Sequence, residues 1–165
     1  LRATRDRVVP ASDNRRRGTA ADASLRAVES TRCLGCEALC LKCVEVCPNR
    51  ANTYVAVRDG LRDAVQVVHL DAPCNECGNC ATFCPWDGKP YADKLTVFAA
   101  EGDFRASTNP GFMVDGHRLL VRLGGTVRVS ALGPDGGVPA DIAMPARAVI
   151  EAVVRDHPSV LGGSA

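Results

Sequence analysis

Two valine-rich runs, residues 53–57 and 66–70, flank a turn pair at Asp59 and Gly60, and this pattern predicts a β-hairpin. A further short strand is expected at 95–99, followed by a loop marked by Ser107, Asn109, Pro110 and Gly111. Beyond that loop, the apolar runs 112–114, 118–123 and 126–132 are separated by Asp115-Gly116 and Gly124-Gly125, which predicts a small antiparallel meander with tight turns. Residues 133–139 read as a loop. Residues 142–155 carry Ile142, Ala146, Val149, Ile150, Val153 and Val154 near a helical period, predicting an amphipathic helix with Pro145 in its first turn. At the other end, Ala20, Ala23, Leu25, Ala27 and Val28 predict one short helix over 19–31, capped by Thr19 or Asp22. Residues 1–18 hold six arginines, among them Arg15, Arg16 and Arg17, with almost no apolar periodicity; they read as a basic linker or an extended strap.

Composition narrows the function classes. With 165 residues the chain can bury an ordinary core, so its cysteines are not needed as staples. Lys+Arg 20 against Asp+Glu 19 indicates neither a nucleic-acid footprint nor an acidic ligand sink. No apolar run reaches the length of a membrane span, and the two longest contain Arg122 and Glu151, so the expected chain is soluble with no membrane span. The opening run lacks the pattern of a secretory signal peptide and begins at Leu1, as a cut from a longer polypeptide would. Nine cysteines, an odd count gathered in two groups, fit a reducing compartment, most simply the cytoplasm, better than a disulfide framework.

Those cysteines carry the chemistry. The segment Cys74-Asn75-Glu76-Cys77-Gly78-Asn79-Cys80-Ala81-Thr82-Phe83-Cys84-Pro85 is a C-x2-C-x2-C-x3-C-P run, the ligand pattern of bacterial ferredoxins. Two residues between thiolates let a loop wrap three corners of a cuboidal [4Fe-4S] cluster, and Gly78 is expected to let the backbone come close. The fourth cysteine lies a helical turn further on and in two-cluster proteins ligates the other cluster. The first segment, Cys33 to Pro48, repeats the C-x2-C-x3-C-P ending as Cys40, Cys43, Cys47 and Pro48. It departs from the pattern by offering five cysteines, with three residues between Cys36 and Cys40. The preferred assignment gives one cluster Cys36, Cys40, Cys43 and Cys84, and the other Cys74, Cys77, Cys80 and Cys47. Cys33 is then a spare thiol or an alternate ligand.

The bland alternative is zinc, because Cys33/Cys36, Cys40/Cys43 and Cys74/Cys77 could close four-cysteine sites; zinc ribbons, however, keep their pairs well apart and have no use for the paired C-x3-C-P ending. Pro48, Pro85, Gly78 and Trp86 read as structural. Lys42, Lys89 and Lys94 lie near the cysteines in sequence and could raise cluster potentials, although solvated lysines are commoner. His69, His117 and His157 stand singly without ligand spacing, and no role is expected for them.

From Arg32 through Cys47-Pro48-Asn49-Arg50-Ala51-Asn52, then His69-Leu70-Asp71, Cys74 to Cys80, Phe83-Cys84-Pro85-Trp86, Gly88-Lys89-Pro90-Tyr91 and Asn109-Pro110-Gly111-Phe112, the sequence resembles the C-terminal iron-sulfur region of the YgfK family of selenate-reductase-type flavoproteins. The resemblance includes the five-cysteine first motif. It implies a large cytoplasmic oxidoreductase in which FAD and NAD(P)H are bound by the rest of the polypeptide, a flavin-containing module is the electron donor and a further redox partner the acceptor. The residues here offer no G-x-G-x-x-G after a predicted strand and no catalytic motif.

The expected architecture is therefore α+β: a basic linker and short helix over 1–31, a 2[4Fe-4S] bacterial ferredoxin-like core over 32–100, and a C-terminal antiparallel β-meander plus helix over 101–165. The expected function is electron transfer as the relay domain of a larger oxidoreductase, with no catalytic site of its own. A free-standing ferredoxin or electron-transfer subunit, and a zinc-stabilised interaction module, are the alternatives.

Overall fold

The computed structural model of the protein describes residues 40–58, 61 and 64–161; the expected helix over 19–31, the basic run, and the cysteines at 33 and 36 lie outside the described residues. The Val-rich hairpin forms β1 (Asn52–Ala56) and β2 (Val65–Leu70), antiparallel, with Asn52 opposite His69. β3 (Thr96–Phe98) runs parallel to β2 on one side and to β4 (Gly111–Asp115) on the other. β5 (Arg118–Leu123) and β6 (Thr126–Ala131) complete the antiparallel meander, so the six strands lie in one mixed sheet in sequence order.

A parallel pair requires the chain to cross over and return. The second cysteine segment forms one such crossover, between β2 and β3, and contributes α2 (Asn79–Thr82) and α3 (Pro90–Asp93). The other crossover, between β3 and β4, carries α4 (Glu101–Ala106). The first cysteine segment contributes α1 (Lys42–Glu45), just ahead of β1. The sheet thus runs on without interruption past residue 100, through the β3–β4 pairing.

Side chains alternate across a strand, and the two faces of this sheet bury different partners. On one face Val55, Val68, Phe112, Leu119 and Val121 pack with α5 (Ala146–Asp156), which buries Val149, Ile150 and Val153. On the other, Phe98, Met113 and Leu120 pack on Phe104 of α4, whose ring meets Phe98 edge-on at 5.3 Å between centroids. Further along that second face, Val67 packs with Cys43 and Cys80. β2 and β3 are therefore covered on both sides, which explains why Val67, Val68, Val97 and Phe98 read as continuous apolar runs rather than as alternation.

The C-terminal helix starts four residues later than its periodicity predicts. Pro145 is the N-cap rather than a first-turn residue. A proline offers no N–H and its ring disfavours helical geometry in the residue before it, so the apolar rhythm of 142–145 is not helix. Ile142 is still buried in the same core, from the turn that precedes the helix.

Gln66 lies on the α5 side of β2, fully buried, and neither of its side-chain amide atoms has a hydrogen-bond partner among the described residues. A buried, unsatisfied polar group costs about 1–3 kcal/mol. Gln66→Met, similar in length and free of that penalty, is expected to raise the unfolding free energy by about 1 kcal/mol or more in a urea titration; an unchanged or lower midpoint would show that Gln66 is satisfied in solution.

Candidate metal centre

From Cys40 and Cys77 onwards, the two C-x2-C-x3-C-P units fold alike. α1 and α2 begin one residue before Cys43 and Cys80 respectively, each the middle cysteine of its C-x2-C-x3-C-P unit. Leu41 O accepts from the amides of Val44 and Glu45, and Gly78 O from those of Ala81 and Thr82. After the last cysteine of each unit, Arg50 N–H donates to Cys47 O and Asp87 N–H to Cys84 O, both at 3.3 Å. Arg50 and Asp87 both take a φ of 54°, an uncommon conformation for residues with a Cβ. The repeat seen in the sequence is thus a repeat of backbone geometry, and α1 and α2 lie side by side with Cys43 and Cys80 buried in one small apolar cluster.

The two units differ at Leu41 and Gly78. Leu41 has φ −93°, whereas Gly78 has φ +78°. A Cβ at Gly78 would meet nothing within 4 Å, so this glycine is required by its backbone angle and not, as its position in the motif suggests, by close approach of the chain.

Of the eight cysteines assigned from spacing, seven are among the described residues. Cys47, Cys74, Cys77 and Cys80 line one narrow cleft, together with Asn52 and Tyr91. Three of these thiols come from the second segment and one from the first. Cys84, only four residues beyond Cys80, does not line it. Cys80 is buried at the back, Cys47 and Cys74 are partly covered, and Cys77 is exposed at the rim. Cys40, Cys43 and Cys84 belong to the other assigned set; Cys43 is buried and the other two are partly covered. Among the described residues, no three His, Cys, Asp or Glu side chains stand close enough together to hold a single metal ion. The four sulfurs line the cleft rather than converging on one point.

Backbone amides address the thiols. Ala51 N–H donates to Cys47 Sγ at 3.2 Å and Glu76 N–H to Cys74 Sγ at 3.4 Å. Burial pushes the Cys74 thiol up from its ordinary value, and the Glu76 amide, which favours the thiolate, pulls it back. At the position in the second unit that corresponds to Ala51 stands Gly88, where a Cβ would lie 3.3 Å from Cys84 Sγ. The smaller residue leaves room beside that sulfur. None of Lys42, Lys89 and Lys94 lines the four-thiol cleft: Lys42 is paired with Glu45 at 2.6 Å on the surface, and Lys94 is buried.

Two polar residues without ligand spacing are nonetheless placed at the site. Asn52 and His69 are each 2% exposed, and His69 Nδ1 lies 3.0 Å from Asn52 Oδ1. Burial lowers the His69 pKa from 6.5 to about 4. A base whose folded-state pKa is depressed binds its proton more readily when unfolded, so stability falls as pH drops below about 6.5 and goes on falling towards about 4. Urea titrations at pH 7 and about 5 are expected to show this loss, bounded by about 1.4 kcal/mol per pH unit for one proton, and His69→Asn is expected to flatten it. An equally steep dependence in the variant would assign it to other groups. His157 has a different contact, its Nε2 accepting from Ala56 N–H at 3.1 Å.

Comparison with known proteins relates the chain to oxidoreductases. Over 139 residues, 82% of this chain, it is 48% identical to "Putative oxidoreductase YgfK" of Escherichia coli strain K12, and equally so to the protein of the same name from Escherichia coli O157:H7. The chain spans 13% of the length of each of these relatives. No family model matches the sequence. No solved structure matches it either. No helix among the described residues is long and apolar enough to cross a membrane.

Proposed function

We propose that this chain holds two [4Fe-4S] clusters and serves as the electron-relay part of a larger NAD(P)H- and flavin-dependent oxidoreductase in the cytoplasm. The observation that carries this reading is the cleft lined by Cys47, Cys74, Cys77 and Cys80. Three thiols from one run and the terminal thiol of its twin are the donor set that a two-cluster ferredoxin core needs, and thiolates are the donors such clusters take. The second set is Cys36, Cys40, Cys43 and Cys84, with Cys33 as alternate. Each cluster, when bound, takes up and gives back one electron, so a pair can divide the two electrons of a reduced flavin.

The chain's own residues supply the rest. The amides of Ala51 and Glu76 favour the thiolate form of Cys47 and Cys74. Val67, Tyr91 and the buried faces of α1 and α2 keep water from the back of the site. The matched C-x2-C-x3-C-P units bring Cys43 and Cys80 into one buried cluster.

Relationship to relatives named as oxidoreductases, of which this chain spans a small part, supports a relay role over a free-standing carrier. A flavin-containing module is then the donor and a further redox partner the acceptor. Reductive titration of the anaerobically prepared chain is the test: uptake of about two electrons per chain, reversible on reoxidation, is expected. Protein that takes up none has no relay function.

A further inference from the structure

Asn52 touches both cysteine sets. Asn52 is one of the residues lining the cleft formed by Cys47, Cys74, Cys77 and Cys80. Its amide Nδ2 donates at 3.2 Å to the main-chain oxygen of Cys43, a residue assigned to the other set. Its Oδ1 accepts from His69, directly opposite on β2. Because Oδ1 can only accept, His69 carries its proton on Nδ1, and the orientation of the Asn52 amide is fixed from the strand side.

The contact to Cys43 has a particular place in the fold. α1 is four residues long; Leu41 O and Lys42 O accept from amides of its own turn, whereas Cys43 O takes the amide of Asn52. Asn52 thus supplies the next rung of a helix too short to make it and ties that helix to the sheet. The second unit has no counterpart. Five residues after Cys84, where Asn52 stands after Cys47, is Lys89. Beside Leu41/Gly78 and Ala51/Gly88, the two units therefore differ in one buried amide.

We infer that Asn52, held by His69, is a positioning residue that makes the two cysteine sets inequivalent: it fixes the backbone of Cys43 from the sheet, at a position where the second unit has Lys89. This rests on the cluster reading given above. Cluster potential depends on the hydrogen bonding and solvent exposure of the ligand loop, so releasing the Cys43 backbone shifts the potential of the step assigned to the Cys36, Cys40, Cys43 and Cys84 set relative to the other.

The test uses Asn52→Leu, which keeps the branching and heavy-atom count of the side chain, in the full chain prepared without oxygen. Iron content is expected to match the parent. The gap between the two midpoint potentials is expected to change, with the step that Cys47→Ala leaves in place being the one that moves. Because Asn52→Leu leaves His69 buried without its acceptor, at a cost to folding, the double variant Asn52→Leu/His69→Leu, which removes both polar partners, is the second readout. His69→Asn, which restores a donor near the Nδ1 position, is expected to keep parental potentials. Unchanged midpoints in an iron-replete Asn52→Leu or double variant overturn the inference while leaving the cluster reading intact. A parent without iron overturns the cluster reading itself, and that is seen before any variant is made.

Discussion

Cys47→Ala is expected to leave about half the parental iron, and Cys47→Ala/Cys74→Ala to leave the same half. Cys47 and Cys74 lie in different segments, 27 positions apart in the chain, but line one cleft. If they serve one cluster, losing the second thiol after the first removes nothing more. Cys47→Ala/Cys84→Ala has the opposite outcome: each substitution strikes a different set, and the double variant loses nearly all its iron. Local ligation, in which each segment closes its own site, likewise has Cys47→Ala/Cys84→Ala losing nearly all iron, but it has Cys47→Ala/Cys74→Ala emptying both sites as well, so the Cys47/Cys74 variant is the one that discriminates. Iron per chain across these four proteins therefore tests the exchange of terminal cysteines directly. The backbone makes the exchange credible. The short helix α1 packs against α2, and Cys47, just beyond α1, lines the cleft formed by the second segment's thiols.

Gly111→Ala is expected to destabilise the fold by about 3 kcal/mol, at the upper end of what overpacking costs. Gly111 opens β4 opposite Thr96 of β3. A Cβ there would collide with the main-chain oxygen of Thr96 and lie 2.7 Å from Phe98 Cε2. The backbone oxygen cannot swing aside as a flexible side chain could, because β3 is pinned between two strands. Relief requires β3 and β4 to separate, and that pairing joins the hairpin beside the cysteine segments to the C-terminal meander. A urea titration measures the loss; a change below about 0.5 kcal/mol would mean that the joint is looser than the register of β3 and β4 implies.

The elements that local pattern specifies were legible in the sequence: the hairpin at Asn52–Ala56 and Val65–Leu70, the short strand at Thr96–Phe98, and the three strands of the meander with their glycine turns. Valine runs bounded by turn residues have few other uses. The joint between β3 and β4 was not legible, because a parallel pairing across a crossover leaves no mark on either strand. Only Gly111 hints at it, as a strand residue that must lie against a neighbouring backbone. The start of α5 was misplaced because apolar spacing continues through Ile142 while Pro145 sets the helix boundary.

For the site, the cysteine spacing identified the candidate residues, and the fold brings four of them to one cleft. Asn52 and His69 were missed for a physical reason. Neither has ligand spacing, and their importance arises from a cross-strand pairing that places both on the face towards Cys43. The available signal was the position of Asn52, five residues after Cys47 inside one repeat, where the other repeat has Lys89.

Metal and acid-labile sulfide per chain, measured on protein prepared without oxygen, test the central claim most directly. The two-cluster account predicts about eight iron and about eight sulfide, with little zinc, and a broad visible absorbance that bleaches on reduction by dithionite. Zinc in the absence of sulfide would contradict it and make the four-thiol cleft part of a structural module.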